Sequence, residues 1–326
     1  MNFSAVPVAY SLQEEWTRPF HKIESSYLLK WRYFFMGFLT MTIVIGVPGN
    51  LMVIFSIVNF KFLRNLPNLL VANLAIFDIG VMSINSMSLI GAILGKDFYT
   101  FYVCEVTGTM CLISCFGSLW SIMSISLNRY IFICHNALYN KVFNLKTTIL
   151  LALSVWGCTL LMDLPNMAFI GFSRHGYLFY SLHCSFYMAN LWWYDFFVWT
   201  CFAFLLPSFI TAYCYYQIWT SASKTTLNFS EQRRKQNKQL IKSLMIIFFI
   251  LIASWSPSSL LIGIGGIFGT TMSVPFEISL TAEMCAHANS AFNFLVYGFT
   301  HSKFRQAYLT IAHSILPCIV GKPKSQ

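Results

Sequence analysis

The feature that most constrains this chain is a long uncharged stretch near its middle. No Asp, Glu, Lys or Arg occurs between Thr107 and Asn128, and Arg129 follows at once. A helix needs about 20 apolar residues to cross the hydrocarbon core of a bilayer, so this stretch predicts a membrane-spanning helix. A guanidinium stays charged and is costly to leave in lipid. We therefore expect Arg129 to mark the end of that helix, where water or a partner protein reaches it.

Six further apolar stretches are long enough to span a bilayer. The chain is 57% hydrophobic and only 10% charged, whereas soluble domains carry about a quarter charged residues. The predicted fold class is an all-α membrane protein, a seven-transmembrane-helix bundle. The seven predicted spans are residues 33–58, 68–94, 102–134, 148–170, 195–221, 239–267 and 277–300.

Basic residues predict the orientation of the bundle. With the N-terminus outside, fifteen of the 21 lysines and arginines lie on the cytoplasmic side and six lie outside. Cytoplasmic loops retain positive charge, so N-out and C-in is the predicted topology. The net charge of +10 is spread over short loops between apolar stretches, which argues against nucleic-acid binding. The polar first 30 residues show no cleavable signal peptide.

Three covalent features follow from this topology. Asn2 begins an Asn-Phe-Ser glycosylation sequon on the predicted outer side. Cys104 and Cys184 are the two cysteines in the outer zone, and an oxidising compartment favours a disulfide between them over two free thiols. Cys318, in the basic tail, is a candidate palmitoylation site.

Charged residues inside the predicted spans are few. An acid within the membrane is a functional hypothesis or a structural hydrogen-bonding node, and both interpretations stay open for Asp78. Asp163 is expected to face a neighbouring helix or a headgroup, and Glu283 and His287 lie one turn apart. The polar residues predicted at a depth matching Asp78, which with it suit an allosteric Na⁺, are Asn50, Ser118, Asn289, Ser290 and Asn293.

Prolines predict bends in several spans. Pro48, Pro165, Pro207 and Pro257 each remove a backbone donor and weaken one helix turn. Trp255 lies beside Pro257, so a rigid indole adjoins a hinge. We interpret it as a ligand-sensitive switch, with ordinary core packing as the alternative.

Taken together, these residues resemble the rhodopsin-like (class A) G-protein-coupled receptors over residues 33–310. Phe304-Arg305 then resembles the start of that family's short amphipathic helix. The implied divisions are an extracellular N-terminus at 1–32, a bundle at 33–300, and an amphipathic helix with a cytoplasmic tail at 301–326. The motifs that carry the resemblance are Gly49-Asn50, Leu74-Ala75 with Asp78, Cys104, Asn128-Arg129-Tyr130, Trp156, Pro207 with Tyr215, Trp255-Ser256-Pro257, and Asn293 with Tyr297.

Within that family, several stretches are similar to the melatonin receptor group, among them Ile133-Cys134-His135, Leu164-Pro165-Asn166 and Cys184-Ser185-Phe186. The resemblance implies that Asn166 and Phe186 bind ligand. The chain departs from the group at three positions. They are Met188 in place of glutamine, Ala203 in place of histidine, and Ser259 in place of asparagine.

The resemblance also implies an outer pocket for a small ligand. Cys111 stands where amine receptors have an aspartate, and His287 stands where opsins have the lysine that holds retinal. An apolar, aromatic lining with a few polar anchors is typical of small-molecule sites. The implied ligand-binding residues are Thr107, Cys111, Asn166, Phe186, Trp255, Ser258, Ser259, Glu283 and His287.

On the inner side, the family couples to a heterotrimeric G protein, and the melatonin-like features suggest the inhibitory type. Asn128 replaces the acid that many relatives place before the arginine. Arg129 therefore lacks its usual ionic restraint, and we expect raised basal signalling. The implied switch residues are Asn128, Arg129, Tyr130, Tyr215 and Tyr297.

These expectations describe a multi-pass plasma-membrane receptor with an external ligand, a G protein and membrane lipid as partners. A transporter or channel using the intramembrane acids is the main alternative, and a peptide-binding or non-signalling receptor is another. The chain has no HExxH pair and no GxSxG elbow, so an enzyme is not expected.

Overall fold

Seven long helical segments dominate the computed structural model, which is consistent with the predicted bundle. The backbone is described for residues 26–94, 100–167, 175–178, 183–186, 196–224, 231–268 and 276–315. Within those residues the helices are α1 (Ser26–Asn59), α2 (Leu66–Leu94), α3 (Phe101–Cys134), α4 (Asn136–Val142), α5 (Leu145–Asp163), α6 (Leu206–Lys224), α7 (Glu231–Phe268), α8 (Phe276–Thr300) and α9 (Ser302–Ile315).

Six of the described helical segments are long and apolar enough to cross a membrane by length and composition. The seventh predicted span, α8, falls outside that set because it carries more polar side chains, including Glu283 and His287. The six are Trp31–Asn59, Leu66–Leu94, Phe101–Cys134, Leu145–Asn166, Phe196–Ser221 and Met245–Ile264.

Two helices extend beyond the predicted spans. Helix α1 begins at Ser26 rather than at residue 33, and α7 begins at Glu231 rather than at residue 239. In both cases polar residues continue the helix past its apolar part, so hydropathy alone underestimates its length. Conversely, α5 ends at Asp163 and a 3₁₀ turn follows over Leu164–Asn166, since Pro165 cannot donate the next helical hydrogen bond.

Proline also shapes the fifth span. A π-helix over Phe196–Leu205 precedes α6, and Pro207 is the second residue of α6. Proline has no N–H and its ring clashes with the carbonyl four residues earlier, which favours a wider turn just before it. Pro48 and Pro257 lie inside α1 and α7, as the sequence predicted.

Helix α3 is the most buried of the spanning segments and packs against α2, α5 and α6. The Trp156 indole of α5 donates to Asn73 Oδ1 at 3.0 Å, and Asn73 Nδ2 donates to Ser121 Oγ of α3 at 3.0 Å. The rings of Phe77 and Trp156 stack with centroids 4.1 Å apart. These contacts fix α2, α3 and α5 to one another.

Two arginines at opposite ends of the bundle cap their neighbours. Arg32 donates from Nε to Ala92 O in the last turn of α2 at 2.8 Å. Arg64 donates from Nε to Val58 O near the end of α1 at 2.9 Å. The last carbonyls of a helix have no partner within it, so each guanidinium supplies one.

The fold also contains a short hairpin that the all-α prediction did not include. Strands β1 (His175–Leu178) and β2 (His183–Phe186) pair antiparallel, with His175 opposite Phe186. Both strands contact α3. The hairpin therefore lies over the end of α3 that carries Cys104, which we call the outer end after the predicted topology. The end that carries Arg129 is called the inner end.

Helix α9 follows α8 after His301 and contacts α8 and α1. Phe304 and Ala307 are buried, whereas Lys303 and Arg305 are exposed. One apolar and one charged face make this an amphipathic helix, at the position that the sequence predicted.

Candidate functional site

Asp78 lies inside the bundle with no exposed surface. Its Oδ1 accepts a hydrogen bond from Ser118 Oγ at 2.9 Å, and its Oδ2 accepts one from Asn293 Nδ2 at 2.8 Å. A buried carboxyl group is costly unless it is hydrogen-bonded. This node therefore joins α2, α3 and α8 at one point.

Of the other predicted members of the polar network, Ser290 also hydrogen-bonds Asp78 through its side chain. Asn50 Nδ2 donates to Gly46 O and to Ser290 O, both at 3.0 Å, so the backbone of Ser290 is its partner. Asn289 is buried, and its amide has no hydrogen-bond partner among the residues that the structure describes. Carboxylate, hydroxyl and amide oxygens are ligands of hard cations, so these residue types fit Na⁺.

A second buried group lies nearer the outer end of α3. The Sγ atoms of Cys111 and Cys115 and one ring nitrogen of His287 lie within 4.8 Å of one another, and all three residues are buried. His287 Nδ1 lies 2.7 Å from Asn85 Oδ1, and Asn85 Nδ2 donates to Thr42 Oγ1 at 3.2 Å. Four helices, α1, α2, α3 and α8, thus meet around this imidazole.

Glu283 adds an acid on the same face of α8. Ser258 Oγ of α7 donates to Glu283 Oε1 at 3.1 Å. Together with Asn85 and His287, Glu283 lines a small cavity whose apolar wall includes Phe35 and Phe38 of α1. The cavity volume is about 10 Å³, which is room for about one water molecule.

The remaining predicted pocket residues are distributed over four elements. Thr107 is buried on α3, and its hydroxyl donates to Val103 O at 2.6 Å. Trp255 and Ser259 are buried on α7, and Asn166 is buried on the turn after α5. Phe186 ends strand β2, and its side chain lies outside what the structure describes.

The outer end of α3 carries a charged group that sequence analysis did not predict. His175 is fully buried. Its backbone N–H donates to Glu105 Oε1 at 3.1 Å, its Nδ1 lies 3.4 Å from Glu105 Oε2, and its Nε2 lies 3.1 Å from Asp163 Oδ1. Asp163 faces this histidine of strand β1, whereas the sequence suggested that it faces a neighbouring helix or a headgroup.

The electrostatics favour a charged imidazole at this position. Burial lowers the pKa of His175, but the hydrogen bond and charge of Asp163, and then the charge of Glu105, outweigh it, so the pKa is raised. Gly108 makes room for the ring, since a Cβ there would lie 2.5 Å from His175 Cδ2. The predicted disulfide between Cys104 and Cys184 also forms and ties β2 to α3.

The inner end of α3 has a different arrangement. The side chains of Tyr139, Tyr297 and Tyr215 lie close enough to interact electrostatically with Arg129. Among the described side chains, no carboxylate lies within ion-pair distance of Arg129, and its Nε is buried without a hydrogen-bond partner. The Nε atom is thus buried, while Arg129 as a whole keeps an intermediate exposure.

The neighbours of Arg129 contact the short helix α4 and the residue before it. Asn128 is buried, and its Nδ2 lies 3.4 Å from the Tyr139 hydroxyl. Tyr130 OH lies 2.9 Å from His135 Nε2. Neither contact brings a carboxylate to Arg129. Among the described side chains, Arg129 therefore has no ionic partner of the kind that an acid at position 128 would provide.

Two predicted modification sites, Asn2 and Cys318, lie outside the described residues. Sequence reasoning also missed residues that the structure brings into the sites. Asn85 lies two helical turns from Asp78 and Cys115 lies one turn from Cys111, so helical periodicity was a usable signal for both. No comparable signal linked His175 to Glu105, because the two residues lie 70 positions apart on different elements, β1 and α3.

Comparison with known proteins agrees with this geometry. The family model of the 7 transmembrane receptor (rhodopsin family) matches residues 49–297. Melatonin receptor type 1A-A of Danio rerio is 29% identical over 286 residues, covering 85% of this chain and 80% of that protein. Melatonin receptor type 1A of Mus musculus is 28% identical over 288 residues, covering 85% and 79%. The fold matches a crystal structure of squid rhodopsin with a TM-score of 0.77 at 23% identity, covering 90% of this chain and 89% of that one.

The described bundle has a buried polar node, a cavity toward one end and Arg129 toward the other. Together with the matches above, this arrangement is that of a seven-helix membrane receptor. The chain belongs to the rhodopsin family of seven-transmembrane receptors, the class A G-protein-coupled receptors, and is related to the melatonin receptor group. Members of this family are multi-pass membrane receptors rather than enzymes. The family assignment favours a receptor over the transporter and channel alternative.

Proposed function

We propose that this receptor binds a small extracellular ligand in its outer pocket and activates a heterotrimeric G protein, of the inhibitory type, at its inner face. The observation that carries the proposal is Arg129, which has tyrosines near it and, among the described side chains, no carboxylate within ion-pair distance. We infer that a charge without an ionic partner has two accessible arrangements, and that a ligand or G protein that prefers one of them shifts the balance.

The outer pocket supports a small ligand with an apolar body and polar contacts. Aromatic side chains from α1 form one wall, and Glu283, His287 and Asn85 supply the polar groups. Trp255, Ser258 and Ser259 are buried on α7. We assign Thr107, Cys111, Asn166 and Phe186 to the same ligand site by resemblance.

Two helices connect the pocket to the inner face. Helix α3 carries Cys111, Ser118 and Arg129 in that order, and α8 carries His287, Asn293 and Tyr297. A ligand that changes how α3 sits against α8 would act on the Asp78 node and then on Arg129. A Na⁺ at Asp78, with the hydroxyls of Ser118 and Ser290 and the amide oxygens of Asn50 and Asn289, would stabilise one arrangement of that node.

Melatonin is the first compound to test, because Asn166 and Phe186 match residues of the melatonin receptor group. Met188, Ala203 and Ser259 stand where that group has larger polar side chains. Each lost hydrogen bond costs about 0.5–1.5 kcal/mol, and 1.4 kcal/mol is about tenfold in affinity. We therefore expect melatonin to bind at least tenfold more weakly than to the Danio rerio relative, as measured by radioligand competition.

Nucleotide exchange on purified G protein tests the coupling. Receptor in lipid nanodiscs, without ligand, is expected to accelerate exchange on an inhibitory-type α subunit above empty nanodiscs, and Arg129→Ala to reduce that acceleration about tenfold. Trp255→Ala is expected to alter ligand-dependent exchange. Leu153→Ala, which changes an exposed apolar residue of α5, is the control. Exchange at the empty-nanodisc rate with every α subunit and with all compounds screened would contradict the proposal.

Orientation and modification belong to the same proposal. We place the N-terminus and the pocket outside the plasma membrane and the basic loops in the cytosol, with Asn2 glycosylated and Cys318 palmitoylated. Antibody access to terminal epitopes in intact and permeabilised cells tests the orientation. Access to the C-terminal epitope without permeabilisation would show that the topology is inverted.

A further inference from the structure

We propose that Cys111, Cys115 and His287 form a binding site for a thiophilic divalent cation, with zinc as the expected metal. Two sulfur atoms and one imidazole nitrogen lie within 4.8 Å of one another in the interior of the bundle. The site shares Cys111 and His287 with the ligand pocket proposed above. Metal binding can be counted without a signalling response, so the two proposals can fail separately.

The spacing of the two thiols supports a shared metal. Cys111 and Cys115 are four residues apart on α3, which places their side chains on one face of the helix, one above the other. A tetrahedral zinc with bonds of about 2.3 Å to sulfur holds two sulfurs about 3.8 Å apart. Ligand atoms within 4.8 Å therefore need rotamer adjustments of about 1 Å, not a movement of the helices.

The orientation of the imidazole gives an independent reason. His287 Nδ1 lies 2.7 Å from Asn85 Oδ1, and an amide oxygen only accepts, so Nδ1 carries the proton. In that tautomer Nε2 is the unprotonated nitrogen, the form that binds metals. Asn85 is itself oriented by Thr42, to which its Nδ2 donates at 3.2 Å. Metal-binding histidines are commonly held by such a hydrogen bond on the second nitrogen.

The charge balance suits a buried position. Binding of Zn²⁺ converts two thiols to thiolates and releases two protons, while the neutral imidazole contributes a lone pair. The resulting unit of one dication and two thiolates has no net charge, which lowers the cost of burying it. Water or a donor atom of an extracellular ligand would complete the tetrahedron, as at zinc sites with three protein ligands.

The site adjoins a small cavity at His287, and a metal bound there would have a mechanical consequence. His287 lines the small cavity bounded by α1, α2 and α8, and Cys111 lies two helical turns inward from the disulfide-bonded Cys104. A metal here joins α3 to α8 across the pocket. It would stabilise whichever receptor state brings the three ligands together, at the expense of the other.

The test counts metal on the purified full-length receptor with its disulfide intact. Receptor stripped with a chelator is loaded with zinc chloride, passed through gel filtration and assayed for bound zinc. We expect one zinc per receptor. Cobalt chloride is expected to give the intense visible bands of a tetrahedral thiolate site, and excess magnesium chloride is expected to leave zinc binding unchanged because Mg²⁺ prefers oxygen ligands.

Variants separate this site from other thiols. Cys115→Ser and His287→Gln are each expected to weaken zinc binding at least tenfold and to abolish the cobalt bands. Cys115→His keeps a ligand at that position and is expected to retain zinc, which guards against a general loss of folding. Cys285→Ser is the matched control, because Cys285 is exposed and lies two residues from His287 on α8.

Three results would overturn the assignment. Wild-type receptor that retains no zinc, Cys115→Ser that retains as much as wild type, or Cys285→Ser that loses it would each show that these residues do not hold the metal. Zinc that raises the thermal unfolding temperature of wild type, but not of Cys115→Ser, would support it, because a ligand of the folded state stabilises that state.

Discussion

The two ends of α3 hold positive charge in opposite ways. At the outer end, His175 is buried between the carboxylates of Glu105 and Asp163 and close to the Cys104–Cys184 disulfide. At the inner end, Arg129 lies near tyrosines, with no carboxylate in ion-pair distance among the described side chains. The positive charge at the outer end thus has two counter-charges, whereas the charge at the inner end has none among the described side chains.

The pKa values of two histidines, one at each end, shift in opposite directions. Burial lowers the pKa of His175, yet its two carboxylates raise it overall. Burial, and after it the charge of Arg129, lower the pKa of His301, next to α9, to about 4. The outer end thus favours a charged imidazole, and the inner end favours a neutral one.

The largest expected effect comes from breaking the outer ion group. Asp163→Ala leaves a buried charged histidine with one fewer counter-charge, and breaking a buried pair in this way costs about 3–5 kcal/mol. We expect that loss in the free energy of unfolding in detergent. Leu161→Ala, an exposed position two residues earlier, is the control. Equal stability of Asp163→Ala and wild type would show that the outer end is not held by charge.

Gly108→Ala tests the same outer end by steric means. Its Cβ would lie 2.5 Å from His175 Cδ2, so the hairpin must move, at a cost of about 1–3 kcal/mol as for other overpacked sites. Gly157→Ala is the matched control, because nothing lies within 4 Å of a Cβ there and alanine favours a helix by about 0.5–1 kcal/mol over glycine. The measurement is the thermal unfolding temperature of each variant compared with that of the wild type. A stable Gly108→Ala would mean that the hairpin packs loosely.

Asn128→Asp makes the inner end more like the outer one. A carboxylate next to Arg129 is expected to restrain the guanidinium and to lower ligand-free nucleotide exchange about tenfold, a coupling of about 1.4 kcal/mol. Asn128→Leu removes the contact with Tyr139 without adding charge, and so isolates the electrostatic effect. Unchanged basal exchange in Asn128→Asp would show that Arg129 needs no ionic restraint to stay inactive.

The smallest expected effects are two opposite pH dependences of stability. For His175 the folded pKa is raised, so its contribution is complete below the unfolded value of about 6.5 and is lost as pH rises through the folded pKa. For His301 the folded pKa is lowered to about 4, so its contribution is complete above about 6.5 and is lost as pH falls toward 4.

Unfolding temperature measured against pH tests both signs. His175→Gln should remove the loss at high pH, and His301→Gln should remove the loss at low pH. Profiles of both variants parallel to wild type would contradict the assigned charge states.

Much of this arrangement could be predicted because it depends on local properties of the chain. Membrane spans follow from apolar length, since transfer to lipid depends on each residue separately. Asp78, Ser118 and Asn293 were expected at similar depth because a helix converts residue number into height, and the structure shows them hydrogen-bonded. Cys104 and Cys184 were paired correctly because they were the two cysteines in the outer zone.

Other features depend on contacts between elements that no local pattern encodes. The chain alone marks Asp78 and Asp163 as intramembrane acids, yet only the docked hairpin provides Asp163 with a histidine, because loop packing depends on the whole outer surface of the bundle. In the same way, the sequence locates Cys111 and His287 on two spans, but the rotation of α3 against α8 decides that they meet. Depth is set by position along one helix, whereas direction around the helix axis is set by how all the neighbouring helices pack.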